Sequence, residues 1–460
     1  MAPYLDAWLA FRARHHDVPG VQAAVRLGSE QVLSTAHGVA DVVTGAPLTT
    51  AHLFRIASHS KTFTATAIMQ LVEDDRLSLD DRIGRWLPFL PSATGEVGRI
   101  TVAELLAHGG GILRDGHDGD FWQLLRPFPD ADELLALLRT DVQVLPPNER
   151  FKYSNIGYGI LGLVIEAITG ERYHRVVTER IIDRLDLHDT AAEYEPARAA
   201  DYASGHTSRV FGDRRVIDHV DTRALASATG FVSTASDLCA YASAHCFGDD
   251  RLLGDESKRR LQRVQWDVGP VDGSYGLGFR VAEVGTRTMV GHGGGYPGHI
   301  TATLVDPVER LAVSVLTNAI DGPASELVLG LVKLLDAGGR SPHRADQDQR
   351  FVGRFANLWS VLDVVDLGDR LVGIAPTLPD PLLSPITFEV VDDDTLRVIA
   401  GSGYGALGER WRYERDDDGR VSSIRAGGGM TMWPYSTADT MGDLAASAAR
   451  GAELGTGSPW

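Results

Sequence analysis

A serine and a lysine three positions apart are the first residues of this sequence that could carry out chemistry together. Ser58 and Lys61 stand at the head of an apolar, helix-patterned stretch, FRIASHSKTFTATAIMQL. Residues three apart share one face of a helix, so the hydroxyl and the amine would be neighbours. A serine becomes a nucleophile when a base takes its proton, and a lysine can be that base if burial or nearby positive charge lowers its pKa. Alone, the pair also fits a helix cap followed by a surface lysine.

A tyrosine and an asparagine form the second candidate group, in the stretch FKYSNIGYGILG. The phenol of Tyr153 could give or take a proton, and the side-chain amide of Asn155 could orient a neighbouring group. Each residue also has a structural explanation. Tyr153 is consistent with a core aromatic residue whose hydroxyl is satisfied, and Asn155 is consistent with the N-cap of a helix.

A histidine followed by three glycines forms the third group, in the stretch VGHGGGYPG between two predicted strands. Consecutive glycines let backbone N–H groups approach a ligand closely, so Gly293, Gly294 and Gly295 could supply half of an oxyanion hole. His292 would add a polarising or proton-bearing side chain. The structural alternative is a histidine that holds a turn.

The charge and the cysteine content narrow the classes of partner. The chain has 44 Lys and Arg against 62 Asp and Glu, a formal net charge of -18. This balance argues against nucleic acid or an anionic membrane surface as a partner, because both require clustered positive charge. Two cysteines provide neither a disulfide framework nor a multi-cysteine metal site, and no metal-ligand spacing is found. The start lacks a signal peptide and no run could span a bilayer, so we expect a cytoplasmic protein.

Hydrophobic periodicity predicts the elements that must position these groups. Predicted helices cover residues 4–14, 60–73 and 324–335, and predicted strands cover residues 21–27, 31–39, 286–291, 299–305 and 311–317. Residues 79–278 are mostly helical in pattern, with Pro and Gly punctuation. Because the first and last strands flank this insertion, they are expected to share one antiparallel sheet with helices packed on it. The predicted fold class is therefore α+β.

A second domain is predicted after the first. Residues 338–349, GGRSPHRADQDQ, are small and polar, as in a linker. Six short β-type runs follow, which predict a small antiparallel barrel or sandwich. The predicted organisation is a domain at residues 1–337, the linker, a β domain at residues 350–445 and a tail at residues 446–460.

Taken together, the three groups resemble the ordered motifs of one enzyme family, the penicillin-recognising serine hydrolases. The motifs are Ser58-x-x-Lys61, Tyr153-x-Asn155 and His292-Gly293-Gly294. The similar branch holds class C β-lactamases, D-alanyl-D-alanine carboxypeptidases, D-aminopeptidases and related esterases. The resemblance covers roughly residues 5–335. It implies the β-lactamase/transpeptidase-like fold for this part, and the C-terminal β domain resembles the lipocalin-like or barrel appendages of some relatives.

The resemblance also implies an acyl-enzyme route that needs no metal and no cofactor. Ser58 would attack an amide or ester carbonyl while Lys61, with Tyr153, takes its proton and passes one to the leaving group. Asn155 would hold Lys61 and the acyl amide of the substrate. The backbone N–H groups of Ser58 and Gly295 would stabilise the oxyanion, and water would then release the acyl group.

Two departures from the family pattern bear on the substrate. His292 stands where many relatives have lysine, and Gly293 stands where threonine or serine is common. A histidine is a weaker and pH-dependent anchor for a carboxylate, so strong β-lactamase activity is not expected. We expect hydrolysis of a small ester, a D-amino acid amide or a short peptide. An acyltransferase and a non-catalytic penicillin-binding or sensor protein stay open, as does the role of the β domain: gating the site, contacts in a homo-oligomer, or stabilisation alone.

Overall fold

The structure, a computed structural model, describes residues 1–87, 90, 97–270, 273–338, 346–403 and 405–435. The chain forms two compact units. One unit contains residues 13–328, and the other joins residues 1–12 to the chain from residue 329 onwards. The predicted domain boundaries at residues 337 and 349 stay predictions. The predicted tail and residues 339–345 of the predicted linker lie outside the described residues.

The described residues of both units include helices and strands. The α-helices are α1 (Ala2–His15), α2 (Ser60–Glu73), α3 (Val102–Leu106), α4 (Ala131–Leu137), α5 (Asn155–Thr169), α6 (Tyr173–Val177), α7 (Ala226–Thr229), α8 (Ala235–Ser243), α9 (Asp255–Gln262) and α10 (Ala324–Gly338). The strands of the first unit are β1 (Gly20–Leu27), β2 (Glu30–Gly38), β3 (Phe54–Arg55), β4 (Gly205–His206), β5 (Val216–Ile217), β6 (Val232–Ser233), β7 (Trp266–Gly269), β8 (Gly273–Tyr275), β9 (Arg280–Val284), β10 (Arg287–Tyr296), β11 (His299–Asp306) and β12 (Leu311–Thr317). The strands of the second unit are β13 (Gly353–Ala356), β14 (Val361–Asp366), β15 (Leu371–Ile374), β16 (Ile386–Asp392), β17 (Thr395–Ala400), β18 (Arg410–Arg415), β19 (Val421–Arg425) and β20 (Thr431–Pro434).

An eight-stranded antiparallel sheet is the centre of the first unit. Its strand order is β2-β1-β12-β11-β10-β9-β8-β7, so the first and last strands pair, with Val21 opposite Thr317. Every residue of β12 is buried, which is expected for a strand covered on both faces. The predicted antiparallel sheet with flanking helices is confirmed.

Helix α2 is the central helix of this unit. All its residues from Ser60 to Leu71 are buried, and the helix has the bounds that the sequence predicts. Burial on every side explains why the stretch, apart from Lys61 and Gln70, is apolar or small rather than amphipathic. The helix therefore provides a rigid base for the residues at its N-terminal end.

Two predictions on the sheet were wrong. Strands β7 and β8 lie in the part predicted to be mostly helical, because strands of three or four residues with glycines show no measurable alternation. The segment His292–Gly295 was placed between two strands, but it lies inside β10, where Gly294 pairs with Thr301 of β11. The histidine therefore does not hold a turn.

A closed barrel of eight antiparallel strands, β13 to β20, dominates the second unit. Each strand pairs with the next, and β13 pairs with β20 through Phe355 and Pro434. Large apolar side chains, among them Phe388, Leu396 and Trp411, pack together in its core, as expected for a barrel of this size. The predicted barrel is confirmed, and the sandwich is excluded. The six predicted runs correspond to β14 to β19, whereas β13 and β20, which close the barrel, were missed.

Among the described residues, no helix combines the length and the apolar character needed to cross a membrane.

Candidate active site

Ser58 lies in a short 3-10 turn, Ala57–His59, that joins β3 to helix α2. Ala57 has a left-handed backbone conformation, with φ of 48°, which is uncommon for a residue other than glycine. This turn leaves the Ser58 side chain partly exposed, whereas its neighbours are buried. Ser60 is the other nearby hydroxyl, but it donates to the Ala57 carbonyl oxygen (2.6 Å) and accepts from the Phe231 N–H (3.1 Å). Ser58 is therefore the available hydroxyl.

Lys61 lies on the first turn of α2 and is completely buried. Its Nζ lies 3.2 Å from Ser58 Oγ, 2.7 Å from Asn155 Oδ1 and 2.8 Å from the Ala228 carbonyl oxygen. Burial lowers the pKa of Lys61 well below its ordinary value, against the opposing charge of Asp115. The amine therefore favours its neutral form beside the serine hydroxyl.

Asn155 is the first residue of α5, and Ser154, rather than Asn155, caps this helix by accepting the Gly157 N–H (2.9 Å). The Asn155 amide is held from two sides. Its Oδ1 accepts from Lys61, while its Nδ2 donates to Asp115 Oδ1 at 2.6 Å. A carboxylate can only accept, so Asp115 turns the amide nitrogen away from Lys61 and its oxygen toward it.

Tyr153 completes the contacts of the serine. Its hydroxyl donates to Ser58 Oγ at 2.9 Å. The ring packs against His108, with centroids 4.2 Å apart, and against the guanidinium carbon of Arg114 at 5.3 Å from the ring centroid. Partial burial of the ring raises the pKa of the Tyr153 phenol, so the hydroxyl keeps its proton until another group takes it.

His292 faces the protein interior on β10, and 5% of its surface is exposed. Its Nδ1 lies 2.6 Å from the Gly293 carbonyl oxygen, and its Nε2 lies 3.1 Å from the Tyr275 hydroxyl. A carbonyl oxygen only accepts, so Nδ1 carries the proton and Nε2 accepts from Tyr275 in the neutral ring. Burial lowers the pKa of His292 well below its usual range, which favours this neutral form.

The glycines of β10 pack directly on the turn that carries the serine. A Cβ added at Gly294 would overlap the Ile56 carbonyl oxygen and lie 2.6 Å from Thr301 Oγ1. At this position only glycine lets the strand approach the turn so closely. Gly293 is half-buried, and Gly295 is exposed on the same strand. The strand thus brings the backbone of this glycine segment close to Ser58.

Some of the predicted site residues contact one another directly, and others do so only through intervening side chains. Direct hydrogen bonds join Ser58, Lys61, Tyr153 and Asn155, whereas His292 reaches the group through aromatic packing, with its ring centroid 6.5 Å from that of Tyr153. Two contributors were missed. The sequence patterns gave no role to Asp115 or to Tyr275. Across the described parts of the chain, no three His, Cys, Asp or Glu side chains are arranged to hold a metal ion.

An antiparallel sheet flanked by helices, with a serine, a lysine and a tyrosine in contact at a helix start, is the arrangement of β-lactamase-like serine hydrolases. The sequence pattern of the Beta-lactamase family matches residues 5–335. The chain belongs to this family, and it is a serine hydrolase of the β-lactamase-like superfamily, which contains esterases, amidases and peptidases.

Three relatives illustrate the range of the family. Penicillin-binding protein 4 of Amycolatopsis lactamdurans is 30% identical over 338 residues, which cover 69% of this chain and 85% of that protein. Esterase EstB of Burkholderia gladioli is 29% identical over 325 residues, or 67% and 81% of the two chains. The solved structure of a D-stereospecific amidohydrolase from Streptomyces sp. is 25% identical, with a TM-score of 0.61 over 72% of this chain and 97% of that one.

Proposed function

We propose that this enzyme cleaves a small ester, a D-amino acid amide or a short peptide through an acyl-enzyme on Ser58. One observation carries the proposal: the buried Lys61 Nζ contacts Ser58 Oγ and two carbonyl oxygens. A neutral amine has two N–H groups and one lone pair. If the two N–H groups donate to the carbonyls of Asn155 and Ala228, the lone pair is left for the Ser58 hydroxyl. Lys61 can then take the serine proton during attack.

Tyr153 has the position of a proton carrier between serine and leaving group. Its hydroxyl lies 2.9 Å from Ser58 Oγ, and both residues are partly exposed. In the proposed reaction, the Ser58 proton passes to Lys61 as the bond to the substrate carbonyl forms. Tyr153 passes a proton to the leaving group as the scissile bond breaks. The same groups then activate the water that releases the acyl group.

The negative charge on the substrate oxygen needs donors that are in place before the reaction. The backbone N–H groups of Ser58 and Gly295 are the proposed pair, and the close packing of Gly294 on Ile56 supports this assignment. One such donor contributes about 3 kcal/mol in comparable sites. Asn155, fixed by Asp115, is the proposed contact for the acyl amide of the substrate.

The names of the relatives support the substrate class. EstB is named an esterase, and the Streptomyces protein is named a D-stereospecific amidohydrolase. The two names describe ester cleavage and D-stereospecific amide cleavage by chains similar to this one. His292 and Gly293 offer no exposed cation or hydroxyl to a substrate carboxylate, which supports weak activity toward β-lactams.

Hydrolysis of p-nitrophenyl esters and of D- and L-amino acid p-nitroanilides tests the proposal, with the wild type compared to Ser58→Ala. We expect a burst of nitrophenol equal to the enzyme concentration, a preference for D over L anilides, and no turnover by the variant. Turnover that survives Ser58→Ala contradicts the proposal. Transfer products with added amines or alcohols would identify an acyltransferase, and labelling without turnover would identify a binding protein.

A further inference from the structure

We propose that Arg114 binds a carboxylate on the acyl part of the substrate and so selects acidic acyl groups. This inference rests on the proposed function, in which Ser58 is acylated and Asn155 contacts the acyl part. It adds the charge of the substrate, which that function leaves open. Three features support it: the anchoring of Arg114, its free donors, and the lack of a free side-chain donor at His292 and Gly293.

The backbone of Arg114 is fixed to the helix that carries Asn155. The Arg114 carbonyl oxygen accepts from the Asn155 N–H (2.8 Å) and from the Ile156 N–H (3.2 Å) on the first turn of α5. The residue before Arg114 is held in the same way, because its carbonyl oxygen, that of Leu113, accepts from Ser154 Oγ at 2.7 Å. Because Arg114 is held to the turn that carries Asn155, it lies on the acyl side of the site.

The side chain of Arg114 is oriented at one end and open at the other. Its Nε donates to Asp115 Oδ2 at 3.1 Å, and its guanidinium carbon lies 5.3 Å from the Tyr153 ring centroid. The side chain is 64% exposed. Its two terminal nitrogens make no hydrogen bond to any residue that the structure describes. A guanidinium with two free, parallel donors matches a carboxylate in a bidentate arrangement.

The paired carboxylate is occupied and does not offer a site for a cation. Asp115 Oδ1 accepts from Asn155 Nδ2 (2.6 Å) and Trp122 Nε1 (2.8 Å), and Oδ2 accepts from Arg114. Three donors use most of the capacity of one carboxylate, which leaves little for a substrate ammonium group. The exposed charge at this part of the site is therefore the guanidinium.

The third motif, His292-Gly293-Gly294, offers no side chain that could bind a substrate carboxylate. His292 is buried, and both its ring nitrogens lie within hydrogen-bonding distance of protein atoms, the Gly293 carbonyl and the Tyr275 hydroxyl. Gly293 has no side chain that could donate to a carboxylate. The third motif therefore offers a substrate carboxylate no free side-chain donor. Arg280 on β9 is a second positive charge that acts on Tyr153 and His292, but Arg114 is the guanidinium that packs on the Tyr153 ring and is held to the helix turn of Asn155.

Matched substrates test this inference. The mono-p-nitrophenyl esters of succinate, glutarate and adipate carry a carboxylate on the acyl group, and their methyl esters are neutral analogues with the same leaving group. Background hydrolysis without enzyme is subtracted. We expect the wild type to prefer at least one carboxylate over its methyl ester. Arg114→Gln should lower kcat/KM for that carboxylate about tenfold more than for its neutral analogue, with the difference mainly in KM.

Two further variants make the outcome specific. Arg150→Gln removes another exposed charge, 75% exposed and 3.9 Å from Glu149, and should leave the preference unchanged. Arg114→Lys should retain part of it, because a charge remains without the planar fork. Equal losses on both substrates in Arg114→Gln, or no preference for any carboxylate in the wild type, would overturn the inference. Turnover of either substrate by Ser58→Ala would instead overturn the proposed function.

Discussion

Replacing Asp115 tests how the site orients Asn155. All three partners of this carboxylate, Asn155 Nδ2, Trp122 Nε1 and Arg114 Nε, are donors. Asparagine at this position keeps one accepting oxygen for Asn155 and Trp122 but loses the charge, and its amide nitrogen would face Arg114. Leucine removes every acceptor and lets the Asn155 amide rotate. Asp115→Asn therefore removes only the charge of the group that orients Asn155, and Asp115→Leu removes the hydrogen bond as well.

The size of each step follows from the strength of the hydrogen bonds. A bond to a charged acceptor contributes about 1.5–3 kcal/mol and a neutral one about 0.5–1.5 kcal/mol. Asp115→Asn should thus cost about 1 kcal/mol, or roughly fivefold in kcat/KM, and Asp115→Leu about 2 kcal/mol, or roughly thirtyfold. The charge of Asp115 also raises the pKa of Lys61, which burial lowers. Its removal should shift the acid limb of the kcat/KM profile to lower pH.

The assay is p-nitrophenyl ester hydrolysis between pH 5 and 9, with thermal unfolding as a check on the fold. Asp118→Asn is the control, since Asp118 lies on the same segment, is 51% exposed and pairs with Arg126 instead. It should behave as the wild type. The reasoning would be refuted by two Asp115 variants within about twofold of the wild type, or by an acid limb that moves to higher pH.

Three more predictions concern the packing, the proton carrier and the stability. Gly294→Ala forces a Cβ onto the Ile56 carbonyl and should cost about 1–3 kcal/mol of unfolding free energy together with activity, whereas Gly295→Ala, whose Cβ meets its nearest atom at 3.6 Å, should leave the stability unchanged in urea titrations. Tyr153→Phe should lower kcat by about 10²–10⁴-fold in the ester assay, and a smaller loss would exclude it as the proton carrier. Burial lowers the pKa of His245 to about 4. An unfolded histidine, with a pKa of about 6.5, binds a proton in this range that the folded His245 does not, so His245 alone should contribute about 3 kcal/mol to the loss of stability on acidification from about pH 6.5 to about pH 4. His59 and His219, whose pKa burial also lowers to about 4, add to that loss. In urea unfolding at about pH 6.5 and about pH 4, His245→Gln should reduce the difference in unfolding free energy between the two pH values. An unchanged difference would contradict this prediction.

Local contacts were predictable from the sequence. Ser58 and Lys61 meet because they lie three positions apart where the 3-10 turn runs into helix α2, and the apolar run predicted the bounds of that helix. The pairing of β1 with β12 also followed from pattern, since two buried strands flank the insertion. Tyr153 and Asn155 were connected to the pair only through the family resemblance, because no local rule joins residues about 94 positions apart.

Contacts that depend on tertiary packing could not be predicted in this way. Asp115 is one of 62 acidic residues, and nothing in its local sequence marks it out. Its contact with Asn155 exists because the fold brings together two residues that are 40 positions apart. Tyr275 acts through a histidine on another strand. The strands β7, β8, β13 and β20 are short, and their neighbours rather than their own sequences determine them. The cytoplasmic location and a homo-oligomer stay predictions from the sequence.

The central claim is that Ser58 forms the acyl-enzyme with Lys61 as its base. Intact-mass analysis after treatment with a fluorophosphonate or a β-lactam probe tests it most directly, followed by mapping of the modified peptide. We predict one adduct per chain, located on Ser58 in the wild type, lost in Ser58→Ala and strongly slowed in Lys61→Met. An unlabelled wild type, an adduct on another residue, or labelling that survives Ser58→Ala would contradict the account.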